Sequence, residues 1–318
     1  MPFLIKNNRL ETLRQPGALS TIAFTVFQKS SSLPIVSSDD IAGCVDDEDF
    51  ETLGPDEAGG EHRRNGAPNM NDRTGTRHST HVVAASDAAK RMLEEIASTF
   101  DTVSDRDDVR VVVLRGEGKV FCAGADIKER IGTKPLPGDH WQRSRRAREA
   151  YHSIMECRKP VIGALNGPAL GGGLAFAASC DILIASESGC LGLPEIDVGL
   201  LGGGRHAQRL FGHSRLRRMM LTGMRVYGPE LYRLGIVEAC VPPEDLMDAS
   251  LGIAREIAAK SPLAVKLAKH ALNQIEELSL RDGYRFEQTM TGELGQTEDS
   301  KEAMRAFVEK RAPVYTGQ

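Results

Sequence analysis

One stretch, residues 166–181, sets the strongest limit on how this chain can fold. An apolar run, Val161–Leu165, ends at Asn-Gly-Pro, and three consecutive glycines then lead into an Ala-rich segment. This order is typical of a strand, a tight loop and the start of a buried helix. Glycines at a helix start leave backbone N–H groups open at the positive end of the helix dipole. The stretch therefore indicates a site for an anion or for an oxygen that becomes negative, with a close-packed glycine turn as the alternative.

A second loop of the same kind favours a site over a simple turn. The apolar run Arg110–Leu114 is followed by Gly-Glu-Gly and then by the small residues of Phe121–Lys128. Two such loops can each direct one N–H group at a single oxygen, which is the usual arrangement for stabilising a developing negative charge.

Composition limits the possible partners. The 318 residues are 41% hydrophobic and 26% charged, as in ordinary globular proteins, and we expect no membrane segment. A formal net charge of −4 gives no general basic field, so we expect no nucleic-acid partner. The six cysteines and eight histidines form no ligand-spaced pairs, which predicts no metal site and reduced thiols in the cytoplasm. The apolar run 18–27 leaves organelle targeting as a less favoured alternative.

Three regions differ along the chain. Residues 1–85 are rich in Ser, Gly, Asp, Asn and Pro, and we expect little regular structure there. From Ser86, a predicted helix N-cap, residues 86–241 alternate helix and strand, which favours an α/β fold with a mostly parallel sheet. Residues 242–318 are predicted to be helical. The predicted strands are Arg110–Leu114, Val161–Leu165 and Asp181–Ala185, and the predicted C-terminal helices are Leu251–Lys260, Ala264–Leu278 and Lys301–Arg311.

Several of these segments together resemble a known family. In content and in order, the chain is similar to the crotonase superfamily of enoyl-CoA hydratases and isomerases over residues 111–114, 121–128, 166–181 and 193–201. The resemblance extends roughly from Ser86 to Tyr315. It implies a crotonase-like ββα spiral with a helical C-terminal trimerisation region, and a homotrimer or a dimer of trimers. It also implies an acyl-CoA thioester as substrate and no separate cofactor, since CoA is part of the substrate.

The resemblance also implies which residues form the site. It places the two N–H donors to the thioester oxygen at Ala125 and Gly172, and the proton-transfer group at Glu195. It further implies substrate contacts at Ala123, Asp126, Ile127, Lys128, Gly171 and Lys310. We expect Lys128, together with Arg130, to face the CoA phosphates. Lys310 is expected either to contact the CoA of a neighbouring subunit or to be solvated.

The chain departs from the family at two places. Ala175 stands where a typical hydratase has a second glutamate, and a methyl group neither orients water nor carries a proton. A single-carboxylate enoyl-CoA isomerase is therefore an alternative, as are a decarboxylase, a hydrolase and a hydratase-lyase. Asp197 supplies a second carboxylate if its segment is extended. Residues 1–85 lack the family's usual strand pair and Asn-Arg-Pro turn, so residues 54–83 are interpreted as divergent or as translated in the wrong frame.

An alternative from another class is a non-catalytic acyl-CoA-binding protein. In that interpretation the pocket is kept, while Ala175 and the irregular N-terminal part indicate lost turnover. The presence of Glu195 argues against it, because a protein that only binds the thioester needs no general acid or base.

Overall fold

The computed structural model describes the chain over residues 3–6, 9–12, 21–26, 79–127 and 136–318, with side chains from residue 89 onward. Lys128, Arg130 and residues 54–78, all subjects of predictions, lie outside these ranges. The chain divides into two compact units, residues 1–28 with 86–318, and residues 29–85. Of the second unit, the described part is residues 79–85, where a helix begins.

The described residues contain ten strands. In chain order they are β1 (Phe3–Lys6), β2 (Arg9–Thr12), β3 (Thr21–Val26), β4 (Val111–Gly116), β5 (Val161–Leu165), β6 (Pro168–Leu170), β7 (Ile182–Ser186), β8 (Cys190–Gly192), β9 (Arg225–Tyr227) and β10 (Ala239–Val241). Seven form one sheet in the order β10-β7-β5-β4-β3-β1-β2, which is parallel except for the antiparallel pair β1 and β2. In a smaller sheet β6 pairs with β8 in parallel and β8 pairs with β9 in antiparallel orientation.

Helices surround and follow the strands. In the described residues the α-helices are α1 (Ser79–Ser104), α2 (Asp139–Glu156), α3 (Gly172–Ser179), α4 (Gly204–Ala207), α5 (His213–Thr222), α6 (Gly228–Arg233), α7 (Leu246–Ala258), α8 (Pro262–Ile275), α9 (Leu280–Leu294) and α10 (Glu298–Glu309). Two 3-10 helices are formed by Pro194–Val198 and Pro243–Asp245. No helix in this part of the chain is both long and apolar enough to cross a membrane.

Strand β4 of the main sheet is buried on both faces, as its uninterrupted apolar sequence requires. Val112 and Leu114 belong to one apolar cluster, which also includes residues of α1, α2 and α3. Val111 and Val113 point to the other face and pack in a cluster with residues of α7. Because the strands are parallel, their carboxyl ends meet at one edge of the sheet, and the two glycine-rich loops begin there.

In its described residues, the N-terminal part differs from the expectations at two places. Strands lie within residues 1–85, where little regular structure was expected, and β3 pairs in parallel with β4 over Thr21–Val26. This apolar, partly β-branched run suits an inner strand of a sheet. Ser86 is also not an N-cap, because α1 begins at Ser79. The intervening Val82-Val83-Ala84-Ala85 contains no helix breaker, so the helix extends past the predicted start.

The C-terminal region is helical, as predicted, and hydrogen bonds set where its helices begin. The Ser261 hydroxyl accepts a hydrogen bond from the Ala264 N–H at the start of α8, at 3.3 Å, and Thr297 caps α10 in the same way. Inside α8, the buried Lys269 ammonium donates to the Asp181 carboxylate just before β7, at 2.7 Å. It also donates to the main-chain oxygens at the end of α2 and in the loop that follows. These contacts fix the region onto the sheet.

Candidate active site

Hydrogen bonds join the two glycine-rich loops. Asn166, which follows β5, accepts a hydrogen bond from the Gly116 N–H at 2.9 Å, so its side chain connects the end of β5 to the end of β4. Further along, the Cys122 N–H donates to the Pro168 carbonyl at 3.1 Å, and the Leu170 N–H donates to the Cys122 carbonyl at 2.9 Å. The loop after β4 thus runs alongside β6 up to the start of α3.

The positions predicted to donate to the thioester oxygen lie on adjacent backbone segments. Gly124 has a φ of 87°, and a Cβ at this position would lie 2.7 Å from the Leu170 carbonyl oxygen and 3.3 Å from the Gly172 nitrogen. Only glycine permits this close approach and this backbone conformation. Ala125 follows Gly124 directly, while Gly172 opens α3, where N–H groups have no partner within the helix.

The Glu195 carboxylate lies against Gly171, the residue before Gly172. It is carried by the 3-10 helix Pro194–Val198, and its Cδ lies 3.0 Å from where a Cβ on Gly171 would be. Gly171 has φ 55° and ψ −114°, a conformation accessible essentially to glycine. The other flank is also a glycine, since a Cβ on Gly202 would lie 3.5 Å from Oε1 of Glu195. The structure therefore brings Glu195, Gly171 and Gly172 together, with the loop that contains Ala125 beside them.

The interpretation of Asp197 as a second carboxylate rests on a wrong conformation. The segment Pro194–Val198 is a 3-10 helix and not extended, so residues two apart do not share a face. The carboxylate of Asp197 lies instead against Gly223, the residue that ends α5, with Oδ2 2.6 Å from where a Cβ would be. Asp197 and Glu195 thus contact different glycines at the ends of different helices.

Ala175 lies in the first turn of α3 and is buried, with 2% of its surface exposed. Its N–H donates to the Gly171 carbonyl at 3.2 Å, which continues the helix from the glycine-rich loop. Its methyl side chain provides neither a proton nor a hydrogen bond. The chemistry this arrangement supports is proton transfer by Glu195 beside the two positions predicted to be backbone donors.

Tyr151 lies beside Gly172 as well, which its sequence context did not predict. Its ring, on α2, makes edge contacts with Phe176 of α3 at 4.8 Å and with His206 of α4 at 5.0 Å between centroids. Its hydroxyl lies 2.9 Å from where a Cβ on Gly172 would be. Helical spacing could have predicted that Tyr151 faces the interior, since Tyr151 and the buried Ile154 are three residues apart on one face of α2.

Burial determines the charge of the two ring side chains. It raises the pKa of Tyr151 to about 12, with a smaller contribution from the negative charge of Glu195, so the phenol is neutral near pH 7. Burial also lowers the pKa of His206, and the positive charges of His152 and Arg209 act in the same direction. The two side chains that pack together, Tyr151 of α2 and His206 of α4, are therefore both uncharged near pH 7.

For most of the other predicted substrate contacts, the structure gives a position in the fold. Ala123, Asp126 and Ile127 lie in the loop after β4, where Ile127 exposes 41% of its surface. Lys128 is outside the described residues. Lys310 is exposed and ends α10 in a left-handed conformation, with a φ of 55°. Its contact with the CoA of a neighbouring subunit stays a prediction.

Known proteins are similar to this chain in sequence and in fold. A family profile described as enoyl-CoA hydratase/isomerase matches residues 85–318. A probable mitochondrial enoyl-CoA hydratase of Dictyostelium discoideum is 40% identical over 227 residues, 70% of this chain and 80% of the relative. A putative enoyl-CoA hydratase/isomerase of Bacillus subtilis, YngF, is 37% identical over 74% of this chain and 91% of its own length. The crystal structure of an enoyl-CoA hydratase from Bacillus anthracis, 35% identical, superposes with a TM-score of 0.67 over 72% of this chain and 89% of the other. The chain is a crotonase-fold enzyme that belongs to the enoyl-CoA hydratase/isomerase family.

Proposed function

We propose that this enzyme moves a proton within the acyl group of an acyl-CoA thioester, and that it isomerises a 3-enoyl-CoA to a 2-enoyl-CoA. One observation carries the proposal. The Glu195 carboxylate lies against Gly171 at the opening of α3, while Ala175, in the first turn of the same helix, offers no second carboxylate. One carboxylate suffices for isomerisation, because the proton that leaves one carbon returns to another carbon of the same substrate.

The reaction proceeds through an enolate. Glu195 removes a proton from C2, the electron pair moves onto the thioester oxygen, and the C3–C4 double bond becomes part of the dienolate. Glu195 then returns the proton to C4, which leaves the double bond between C2 and C3. The N–H groups of Ala125 and Gly172 stabilise the oxygen while it is negative, and loss of one such donor typically costs about 2.7–4 kcal/mol.

The acyl-CoA is the only partner that this reaction needs, with no metal or redox cofactor. The proposal assigns substrate contacts to the loop after β4, at Ala123, Asp126, Ile127 and Lys128, and to Gly171. Lys310 is assigned to the CoA bound by a neighbouring subunit. A cytoplasmic location remains a prediction, although the Dictyostelium relative is named as mitochondrial.

Hydration of a 2-enoyl-CoA is the second candidate. It is favoured by the names of the relatives, since both the Dictyostelium protein and the Bacillus anthracis structure are called enoyl-CoA hydratases. In this reaction Glu195 alone has to position the water and transfer its proton. We rank it second because Ala175 cannot share that work.

Turnover of two substrates distinguishes the candidates. We expect the purified enzyme to increase the ultraviolet absorbance of the conjugated thioester when it is given a 3-enoyl-CoA, and to form no hydroxyacyl-CoA from a 2-enoyl-CoA. Mass spectrometry provides the second readout, because hydration adds the mass of one water and isomerisation adds nothing. A product heavier by one water would show that the enzyme hydrates its substrate and does not isomerise it. Binding of both esters without turnover would indicate a binding protein.

We also propose that the enzyme is a homotrimer or a dimer of trimers. The C-terminal helices expose large apolar side chains that a monomer leaves in water, among them Leu280 at 93% and Phe307 at 84% exposed. Light scattering after size-exclusion chromatography is expected to give three or six times the chain mass of 34.6 kDa. The pair of substitutions Leu280→Asp and Phe307→Asp should reduce the mass, whereas a wild-type mass of 34.6 kDa would exclude the proposal.

A further inference from the structure

The hydroxyl of Tyr151 lies at the end of α3 that carries the proposed N–H donor. It is 2.9 Å from the point where Gly172 would carry a Cβ. Cα–Cβ bonds of a helix tilt toward its N-terminus, so this point lies on the same side of Gly172 as its N–H group. A side chain at position 172 would occupy this space, and glycine there leaves room for the phenol.

The aromatic ring holds the hydroxyl in place by packing. Phe176 of α3 and His206 of α4 contact the Tyr151 ring at interplanar angles of 70° and 67°. Phe176 is four residues after Gly172, so the ring of Tyr151 lies along one face of α3 and ends at its opening. Within the part of the chain that the structure describes, no hydrogen bond engages the Tyr151 hydroxyl. A positioned donor of this kind needs little reorganisation when a negative charge appears beside it.

The protonation state of Tyr151 suits this role. Burial raises its pKa to about 12, so the phenol keeps its proton near pH 7 and donates a hydrogen bond. The phenol and the Glu195 carboxylate lie against two consecutive residues, since the Tyr151 hydroxyl is next to Gly172 and the carboxylate is next to Gly171. The neutral phenol can therefore contact an oxygen of the substrate while Glu195 takes a proton from a neighbouring carbon.

We propose that Tyr151 is a further catalytic residue, whose hydroxyl donates a third hydrogen bond to the thioester oxygen of a bound acyl-CoA. This inference rests on the proposed function, because it concerns the same enolate. The phenol strengthens its hydrogen bond as charge moves onto the oxygen, together with the N–H groups of Ala125 and Gly172. It adds side-chain stabilisation to a site that has Ala175 in place of a second glutamate.

The test measures the thioester carbonyl directly. Butyryl-CoA, which has no double bond to move, is labelled with carbon-13 at the thioester carbon and its stretching frequency is recorded by difference infrared spectroscopy when bound. The wild-type enzyme should lower this frequency relative to free butyryl-CoA. In Tyr151→Phe, which keeps the ring packing, the shift should be clearly smaller. For the reacting 3-enoyl-CoA, kcat should fall by about 10²-fold with little change in KM.

Two control variants show whether a change in carbonyl frequency comes from the loss of the Tyr151 hydroxyl. Tyr232→Phe removes the same hydroxyl from an exposed position on α6 and should leave frequency and kcat unchanged. Glu195→Gln should lower kcat by about 10²- to 10⁴-fold while the carbonyl frequency stays as in the wild type. A wild-type frequency in Tyr151→Phe would overturn the inference, whether or not kcat falls, and would leave the proposed function in place. If the wild-type enzyme binds butyryl-CoA without lowering its carbonyl frequency and turns over neither enoyl-CoA, both the inference about Tyr151 and the proposed function are overturned.

Discussion

Replacement of Glu195 by glutamine is expected to lower kcat by about 10²- to 10⁴-fold, the usual contribution of a general acid/base. Glutamine has the same shape as glutamate and fits between Gly171 and Gly202, but it cannot accept the proton from C2. Binding of the acyl-CoA should persist, because the proposed backbone donors and the CoA contacts are unchanged. The measurement is the rate of conjugation of a 3-enoyl-CoA, with the binding of butyryl-CoA followed by calorimetry.

A matched substitution shows whether the effect belongs to this site. Glu187 is exposed in the turn after β7, so Glu187→Gln removes the same charge elsewhere and should leave kcat within about twofold of the wild type. If Glu195→Gln kept more than a tenth of the wild-type kcat, the assignment of Glu195 as the proton-transfer group would be wrong. A loss of butyryl-CoA binding in that variant would instead assign Glu195 a role in binding.

The substitution Gly171→Ala is expected to reduce kcat by about 10²-fold or more. A Cβ at position 171 collides with the Glu195 carboxylate, so the carboxylate has to move by about 1 Å, a displacement that can cost such a factor. The backbone at φ 55° and ψ −114° adds about 1–3 kcal/mol of strain for any other residue. The rate of 3-enoyl-CoA conversion and the urea unfolding midpoint together separate the two effects.

Gly252→Ala is the matched control for that substitution. Gly252 lies inside α7, and a Cβ there would meet no atom within 4 Å. Alanine reduces the freedom of the unfolded chain at such a position, so this variant should be more stable by about 0.4–1 kcal/mol with an unchanged kcat. A Gly171→Ala enzyme with a kcat within threefold of the wild type would show that the contact between Gly171 and Glu195 does not matter for catalysis.

The sequence predicted the parts of the fold that have long apolar runs. Strand β5 was predicted with both ends correct, and β4 and β7 are each displaced by one residue at the start. The strands of the small sheet escaped prediction because three residues are too few to show a period. Helix α9 was missed as well: its exposed apolar side chains, such as Leu280, give no clear buried face within one chain.

The site was predictable where backbone conformation determines the residue type. Gly124 and Gly171 have positive φ values, and such positions remain visible in a sequence as glycines beside a strand or helix. Tyr151 was not predictable in this way, because its position depends on how α2 packs against α3 and α4. Asp197 was misread because a strand and a 3-10 helix are hard to distinguish in a segment as short as Pro194–Val198.

The ion pair between the buried Lys269 and Asp181 has a consequence for recombination between relatives. These residues are 88 positions apart, and the Asp181 carboxylate also accepts a hydrogen bond from the Val161 N–H at 2.7 Å. A chimaera that takes α8 from one parent and the start of β7 from another keeps the ion pair only if both parents have it. Without Asp181, the charge of Lys269 would be left buried and uncompensated. Parents that differ at either position therefore cannot exchange their C-terminal helices as an independent module.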